Sequence, residues 1–185
     1  SIFGNFVGTD RTGAALGKDP AVINEMKIGT VDFIISSTNN AAKLVPQFQI
    51  FSLYYMFPDY DAFNRATAGD SPVFGKLQSM MEENGTGLRL LALGGSGTRN
   101  LSNSVKPVHE VADVEGFKMR VPPSPVVAES WKAFGALPVT VAWPELYAAI
   151  QTGVADALES TVAGYTGSKL YEVAPLLART RHSIN

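Results

Sequence analysis

The sequence predicts an α/β fold, and the prediction rests on residues 116–161. Short β-branched or apolar runs alternate there with helical patterns, and glycine or proline stands at the junctions. That order is the pattern of a mostly parallel sheet with crossover helices. Composition agrees: 45% of the 185 residues are hydrophobic and 17% charged, enough apolar material for one large or two small cores.

In chain order, residues 2–7 read as a strand and residues 8–16 as a loop. Asp19-Pro20 starts a helix with Asp as cap and Pro at the first position, and Val22, Ile23 and Met26 share one side before Gly29 ends it. Residues 31–35 read as a buried strand. The small polar run Ser36-Ser37-Thr38-Asn39-Asn40 follows, and by composition it is either a cleft lining or an ordinary loop. Phe48, Phe51, Tyr54, Tyr55 and Phe57 read mainly as core. Two helices are expected over 59–69 and 71–85, then a strand over 87–93. Gly94-Gly95-Ser96-Gly97 lacks the Gly-Lys-Ser/Thr of a phosphate loop, so a bend between two lobes fits it better.

Residues 101–105 continue as a strand and 108–116 as a short helix or turn. Lys118-Met119-Arg120-Val121 is a strand stopped by Pro122-Pro123, because proline cannot continue a ladder. Ser124 caps the next helix, Pro125 opens it, and Val127, Trp131 and Phe134 recur at helical spacing up to Gly135. A strand over 137–142, a helix from Pro144 to Gly153 and a strand over 154–158 complete the alternation, leading to Glu159-Ser160-Thr161. A helix over 165–178 and the beginning of a strand over 179–185 close the chain.

Ligands of parallel sheets gather outside the carboxyl ends of the strands, which makes Arg120, Glu159 and Ser160 candidate site residues. A guanidinium is a planar fork of donors matched to a carboxylate. Arg120 is then either a ligand arginine or a strand residue paired with a structural acid such as Glu145 or Glu159. Arg99 is a second candidate or a surface arginine beside the bend. Glu159 and Ser160 contact ligand or cap a helix, and Asp19 contacts ligand or simply caps its helix. A net charge of -2 and a pI near 5.7 give no footprint for nucleic acid. No apolar run approaches bilayer length. The absence of cysteine excludes disulfides and thiolate metal sites, no cofactor fingerprint is present, and His109 and His182 are isolated and receive no role.

The motifs Gly116-Phe117-Lys118-Met119-Arg120-Val121-Pro122, Trp131-Lys132-Ala133-Phe134-Gly135-Ala136, Glu145-Leu146-Tyr147-Ala148-Ala149-Ile150-Gln151-Thr152-Gly153-Val154-Ala155-Asp156 and Ser168-Lys169-Leu170-Tyr171-Glu172-Val173 resemble the solute-binding proteins of tripartite ATP-independent periplasmic (TRAP) transporters, of the dicarboxylate-binding type. Residues 13–17, Gly29-Thr30-Val31-Asp32 and Thr98-Arg99-Asn100-Leu101-Ser102-Asn103 agree in the same order. The resemblance implies a two-lobed, hinged receptor with a ligand cleft between lobes, each lobe a mostly parallel sheet flanked by helices. It implies that Arg120 grips a ligand carboxylate, that Arg99 assists, and that Ser160, Glu159, Ser37 and Asp19 stand at positions that contact ligand in some members. Asn is common where this chain has Ser160, and Gly-Gln where it has Ala157-Leu158, which leaves the substrate open.

The function implied is capture of a small organic acid, without chemistry and without cofactor, for delivery to the membrane subunits of a TRAP transporter in the periplasm; in some subgroups the acid at the position of Glu159 helps bind ligand or metal, and metal dependence stays open. A signal peptide is expected upstream. Family members are longer, so the first lobe would span residues 1–97 and the second 98–185, both incomplete, and the 185 residues alone would fold poorly. The alternatives are an α/β enzyme with Glu159 or Asp156 as general base, or the sensing lobe of a receptor.

Overall fold

The computed structural model describes residues 19–184 and divides into two compact units. Residues 1–51 and 57–94 form the first, and residues 52–56 and 95–185 the second. The expected strand over 2–7 and loop over 8–16 lie outside the described residues.

In the first unit, helix α1 (Asp19–Lys27) buries Val22 and Ile23, as the periodicity predicts. A short α2 (Thr38–Ala41) and a 3-10 turn (Pro46–Ser52) lead to α3 (Tyr60–Thr67) and α4 (Pro72–Glu83). Both longer helices begin where the sequence places caps: Asp59 Oδ1 accepts from Ala62 N at 2.7 Å, and Ser71 Oγ from Phe74 N at 3.0 Å. Ser71 also donates to the Ala66 carbonyl at 2.7 Å. Ser71→Ala is therefore expected to cost the full-length protein about 1–2 kcal/mol, read as a lower urea midpoint at unchanged slope.

The strands expected over 31–35 and 87–93 are corrections: among the described residues the first unit contains no strand. An apolar run becomes a strand only when a neighbour completes its ladder. Phe33 and Leu91 are 71% and 74% exposed, and Leu90 N donates to the Gln78 side chain instead.

The second unit carries a five-stranded sheet of β1 (Thr98–Asn103), β2 (Lys118–Val121), β3 (Leu137–Thr140), β4 (Ala157–Thr161) and β5 (Leu176–Ile184), ordered β3-β2-β4-β1-β5. β2 runs parallel to β3 and β4, while β1 runs antiparallel to β4 and β5. The sheet is thus mixed, not mostly parallel: the central α/β stretch supplies the parallel part, and β1 and β5 add the antiparallel edge. Helix α5 (Pro125–Ala133) crosses from β2 to β3, and a 3-10 turn (Trp143–Glu145) with α6 (Leu146–Gln151) crosses from β3 to β4.

Two further corrections concern the end of this stretch. β4 begins three residues later than expected, because Val154 is exposed in a turn and the ladder starts at Ala157. Glu159 and Ser160 therefore sit inside the strand and alternate across the sheet. The helix expected over 165–178 is only α7 (Val162–Gly167) and a 3-10 turn (Leu170–Glu172), broken at Lys169 with φ +52 and followed by Pro175 at the entry to β5.

Alternation along the strands divides the core. Leu101, Met119, Val121 and Ala157 pack with Val127 and Trp131 of α5 on one face. On the other, Leu158 packs with Leu146 and Ile150 of α6 and Tyr165 of α7. Burying such side chains stabilises by roughly 1.5–3 kcal/mol each. The same period of two decides which polar side chains share a face.

Candidate functional site

Arg120 lies one residue out of phase with Met119 and Val121, so it faces the α6 and α7 side of the sheet, with Leu158 and Ser160. It is 3% exposed. Its Nε donates to the Val141 carbonyl at 2.9 Å, and its guanidinium lies 5.6 Å from the centre of the Trp143 ring. Among the described residues this is its only hydrogen bond, and it forms no ion pair there. Burial, aided by the neighbouring charge of Arg99 and opposed by that of Glu159, pushes its pKa down to about 10. The backbone carbonyl and the indole fix one edge and one face of the fork. Among the described residues its terminal Nη groups have no hydrogen-bond acceptor.

Arg99 and Glu159 occupy the opposite face. Arg99 Nε sits 3.2 Å from Glu159 Oε1, and Arg99 Nη2 donates to the Glu159 carbonyl at 2.9 Å. Glu159 is 1% exposed and its second oxygen is occupied as well: Tyr54 OH donates to Oε2 at 2.9 Å, and His182 Nε2 lies 2.7 Å from it. Burial alone would raise the Glu159 pKa. The charge of Arg99 and the hydrogen bonds of His182 and Tyr54 overcome it and hold the carboxyl at about 2. Burial and the adjacent carboxylate push the Tyr54 phenol up.

His182 reaches this cluster because β5 bulges. Ala178 pairs with Leu101 and Ser183 with Arg99, and Arg181 between them takes φ +46. Leu101 N donates to Thr180 Oγ1 at 3.2 Å, and that hydroxyl lies 2.7 Å from His182 Nδ1. The Leu101 amide, Thr180, His182 and Glu159 thus form one hydrogen-bonded chain. Tyr54 is pinned from its other sides by Trp131, Phe134 and the His182 ring, and Tyr55 N donates to the His182 carbonyl at 2.8 Å. His182, given no role from the sequence, is thus a member of a buried polar network.

Ser160 shares the face of Arg120 and is 4% exposed. Among the described residues its hydroxyl has no hydrogen-bond partner. Beside it Thr161 caps α7, its Oγ1 accepting from Gly164 N at 3.2 Å. A Cβ added to Gly164 would stand 2.7 Å from Ser160 Oγ and 3.3 Å from the Trp143 ring. The glycine keeps this corner open.

Of the six residues singled out from the sequence, four come together in the second unit, split as Arg120 with Ser160 and Arg99 with Glu159. Ser37 lies in the first unit, where its carbonyl accepts from Asn40 N and Ala41 N at the start of α2 and its side chain makes no cap. Asp19 is the first residue of α1, and its side chain lies outside the described residues. No group of three or more metal-ligating side chains occurs among the described residues, and no described helix is long and apolar enough to cross a membrane. Tyr54, His182 and Gly164 carry no site role in the sequence, while Trp143 and Phe134 read there as pocket wall or core. Tyr54 is 105 positions from Glu159, and no local spacing signals such a pair.

The family described as DctP, bacterial extracellular solute-binding protein, family 7, matches residues 11–185. A solute-binding protein of Sulfitobacter sp. (strain NAS-14.1) is 35% identical over 175 residues, covering 94% of this chain and 52% of that protein. A crystal structure of a TRAP periplasmic solute binding protein from Polaromonas sp. JS666, bound to D-erythronate, is 30% identical at a TM-score of 0.85 and covers 92% of this chain and 55% of that one. A TRAP periplasmic solute binding protein from Sulfurospirillum deleyianum with bound succinate is 28% identical at a TM-score of 0.85, covering 91% and 53%. The chain thus spans about half the length of the relatives that it matches.

Proposed function

The chain belongs to the DctP family of bacterial extracellular solute-binding proteins, and we propose that the protein of which it is part captures a small organic acid outside the cytoplasm and delivers it to the membrane subunits of a TRAP transporter. The observation that carries this reading is Arg120: a buried guanidinium, fixed along one edge by the Val141 carbonyl and over one face by Trp143, whose Nη groups have no hydrogen-bond partner among the described residues. Such a group is costly to hold unpaired and is relieved by a carboxylate in bidentate geometry. Solved relatives holding D-erythronate and succinate support the class of ligand.

In this reading Arg120 holds the carboxylate and Ser160 contacts the ligand beside it. Arg99 and Glu159 act through one another, as a pair that stiffens β1 against β4. Ser37 and Asp19 remain candidate contacts from the first unit. A periplasmic address, with a signal peptide ahead of this segment, belongs to the same proposal.

The family is one of binding proteins, not enzymes. The site agrees, since the acid best placed to be a general base, Glu159, has both oxygens engaged and no open path to a substrate. A thermal-shift screen of organic acids on the full-length protein tests the proposal. At least one carboxylate should raise the melting temperature and be recovered unchanged. Stabilisation by uncharged sugars alone, or chemical conversion of the bound acid, would refute it.

A further inference from the structure

We infer that residues 52–56 form a latch, a strap whose two ends run into the first unit and whose tip closes over the Arg99–Glu159–His182 cluster of the second, with the Tyr54 hydroxyl as its lock. One phenol, carried on a loop outside every strand, reaches the carboxylate that pins Arg99. The latch does not depend on Arg120 as a carboxylate holder.

Residues 52–56 belong to the second unit, while the chain on both sides of them belongs to the first. The base of the strap is pinched there: the Phe51 and Phe57 rings stack with centroids 6.2 Å apart, and Phe57 meets Phe63 of α3 edge to face at 5.4 Å. Among the described residues the strap joins no ladder of the five-stranded sheet, so it can lift without breaking a strand pair. Local opening of this kind costs less than unfolding the whole unit.

The tip is held by one side chain. Leu53 and Tyr55 are 42% and 68% exposed, and Tyr54 between them turns inward. Its hydroxyl donates to Glu159 Oε2 at 2.9 Å, and its ring centre stands 4.7 Å from that of His182, 5.8 Å from Trp131 and 6.3 Å from Phe134. Tyr55 takes φ +57, a left-handed conformation uncommon for a bulky residue, and its N–H donates to the His182 carbonyl at 2.8 Å. Backbone of that kind persists where the surrounding contacts over-determine it, here the seated tip.

Closed, the strap keeps Glu159 and His182 buried, and Glu159 holds Arg99 through Oε1 at 3.2 Å and through its carbonyl at 2.9 Å. Lifted, it removes one of the two donors on Oε2 and admits water, and a wetted ion pair is weaker. A pull on Phe51 or Phe57 in the first unit therefore reaches Arg99 in the second through five residues of chain.

The test uses the full-length protein. Hydrogen exchange with peptide mass spectrometry reads the strap, and diethyl pyrocarbonate reads His182, with the exposed His109 as internal standard. Tyr54→Phe keeps the ring and removes the lock. It should speed exchange of the peptide carrying the Tyr55 amide, and carbethoxylation of His182, at least tenfold, the lower end for a hydrogen bond to a charged group. His109 and the peptides of β2 and β3 should change less than twofold. Failure of either rate to rise overturns the latch. So does an equal acceleration in β2 and β3, which would make the hydroxyl a general stabiliser of the unit. Neither result bears on the carboxylate reading, which the Arg120 variants test separately.

Discussion

Arg120→Ala is expected to weaken organic-acid binding by about 2–5 kcal/mol, roughly 30- to 5,000-fold in Kd, as for truncating one partner of a buried charge pair. The argument is geometric. Val141 and Trp143 already occupy the Nε edge and one face of the guanidinium, so among the described residues the donors left for a planar anion are the two Nη groups. Arg120→Lys should recover little of the loss, because an ammonium cannot hold the Val141 carbonyl and present a two-pronged fork together. The measurement is calorimetry with the best ligand of the thermal-shift screen. A lysine variant within fivefold of wild type would contradict the bidentate geometry.

A second readout separates binding from folding. Without ligand, the Arg120 charge is buried and has no ion-pair partner among the described residues, and burial with the nearby Arg99 charge pushes its pKa down to about 10 against the pull of Glu159. Replacing such a charge by an apolar side chain of similar length is commonly neutral or stabilising. Arg120→Met should therefore melt no lower than wild type in the absence of ligand and lose all ligand-induced stabilisation. That combination is the signature of a site residue held at a cost to the fold. A large drop in the unliganded melting temperature would instead make Arg120 a structural residue.

How much of this was legible in the sequence depends on where the chain carries its own punctuation. Between Gly116 and Gly153 the prolines and glycines stand at element ends, so β2, α5, β3 and α6 follow from local rules. Arg120 was legible for the same reason, as a charge in a short strand that proline stops. β4 was not, because its apolar signal begins at Val154 while its ladder begins at Ala157 and continues through Glu159, Ser160 and Thr161. Polar residues inside a buried strand contradict propensity and are tolerated only where partners from elsewhere satisfy them. Those partners, Arg99, Tyr54 and His182, come from β1, from the segment 52–56 and from the bulge of β5, and their meeting is a property of the fold alone. The first unit is the converse case: residues 31–35 and 87–93 have strand-like composition, and no described neighbour completes a ladder with them.

The buried network makes Glu159 the second residue with a large expected effect, on stability in place of affinity. Glu159→Ala should destabilise the full-length protein by about 3–5 kcal/mol, since it strands the Arg99 charge inside the sheet and leaves the Tyr54 and His182 donors unpaired. Glu159→Gln keeps the shape and removes the charge, and its diagnostic is the pH dependence. The Glu159 carboxyl titrates at about 2 in the folded protein, against an ordinary value of 4.5. The unfolded chain therefore takes up this proton first as pH falls. The stabilisation is complete above about pH 5 and is lost progressively between pH 5 and 2, amounting to roughly 3 kcal/mol. Arg99, His182 and Tyr54 are the groups that face this carboxyl and set its shift. Urea denaturation of wild type and Glu159→Gln across pH 3–7 should show the two curves converging toward acid, with the variant the flatter. Parallel curves would mean that the carboxyl is not held ionised by its neighbours, and the rigidity assigned to the Arg99–Glu159 pair would have to come from packing alone.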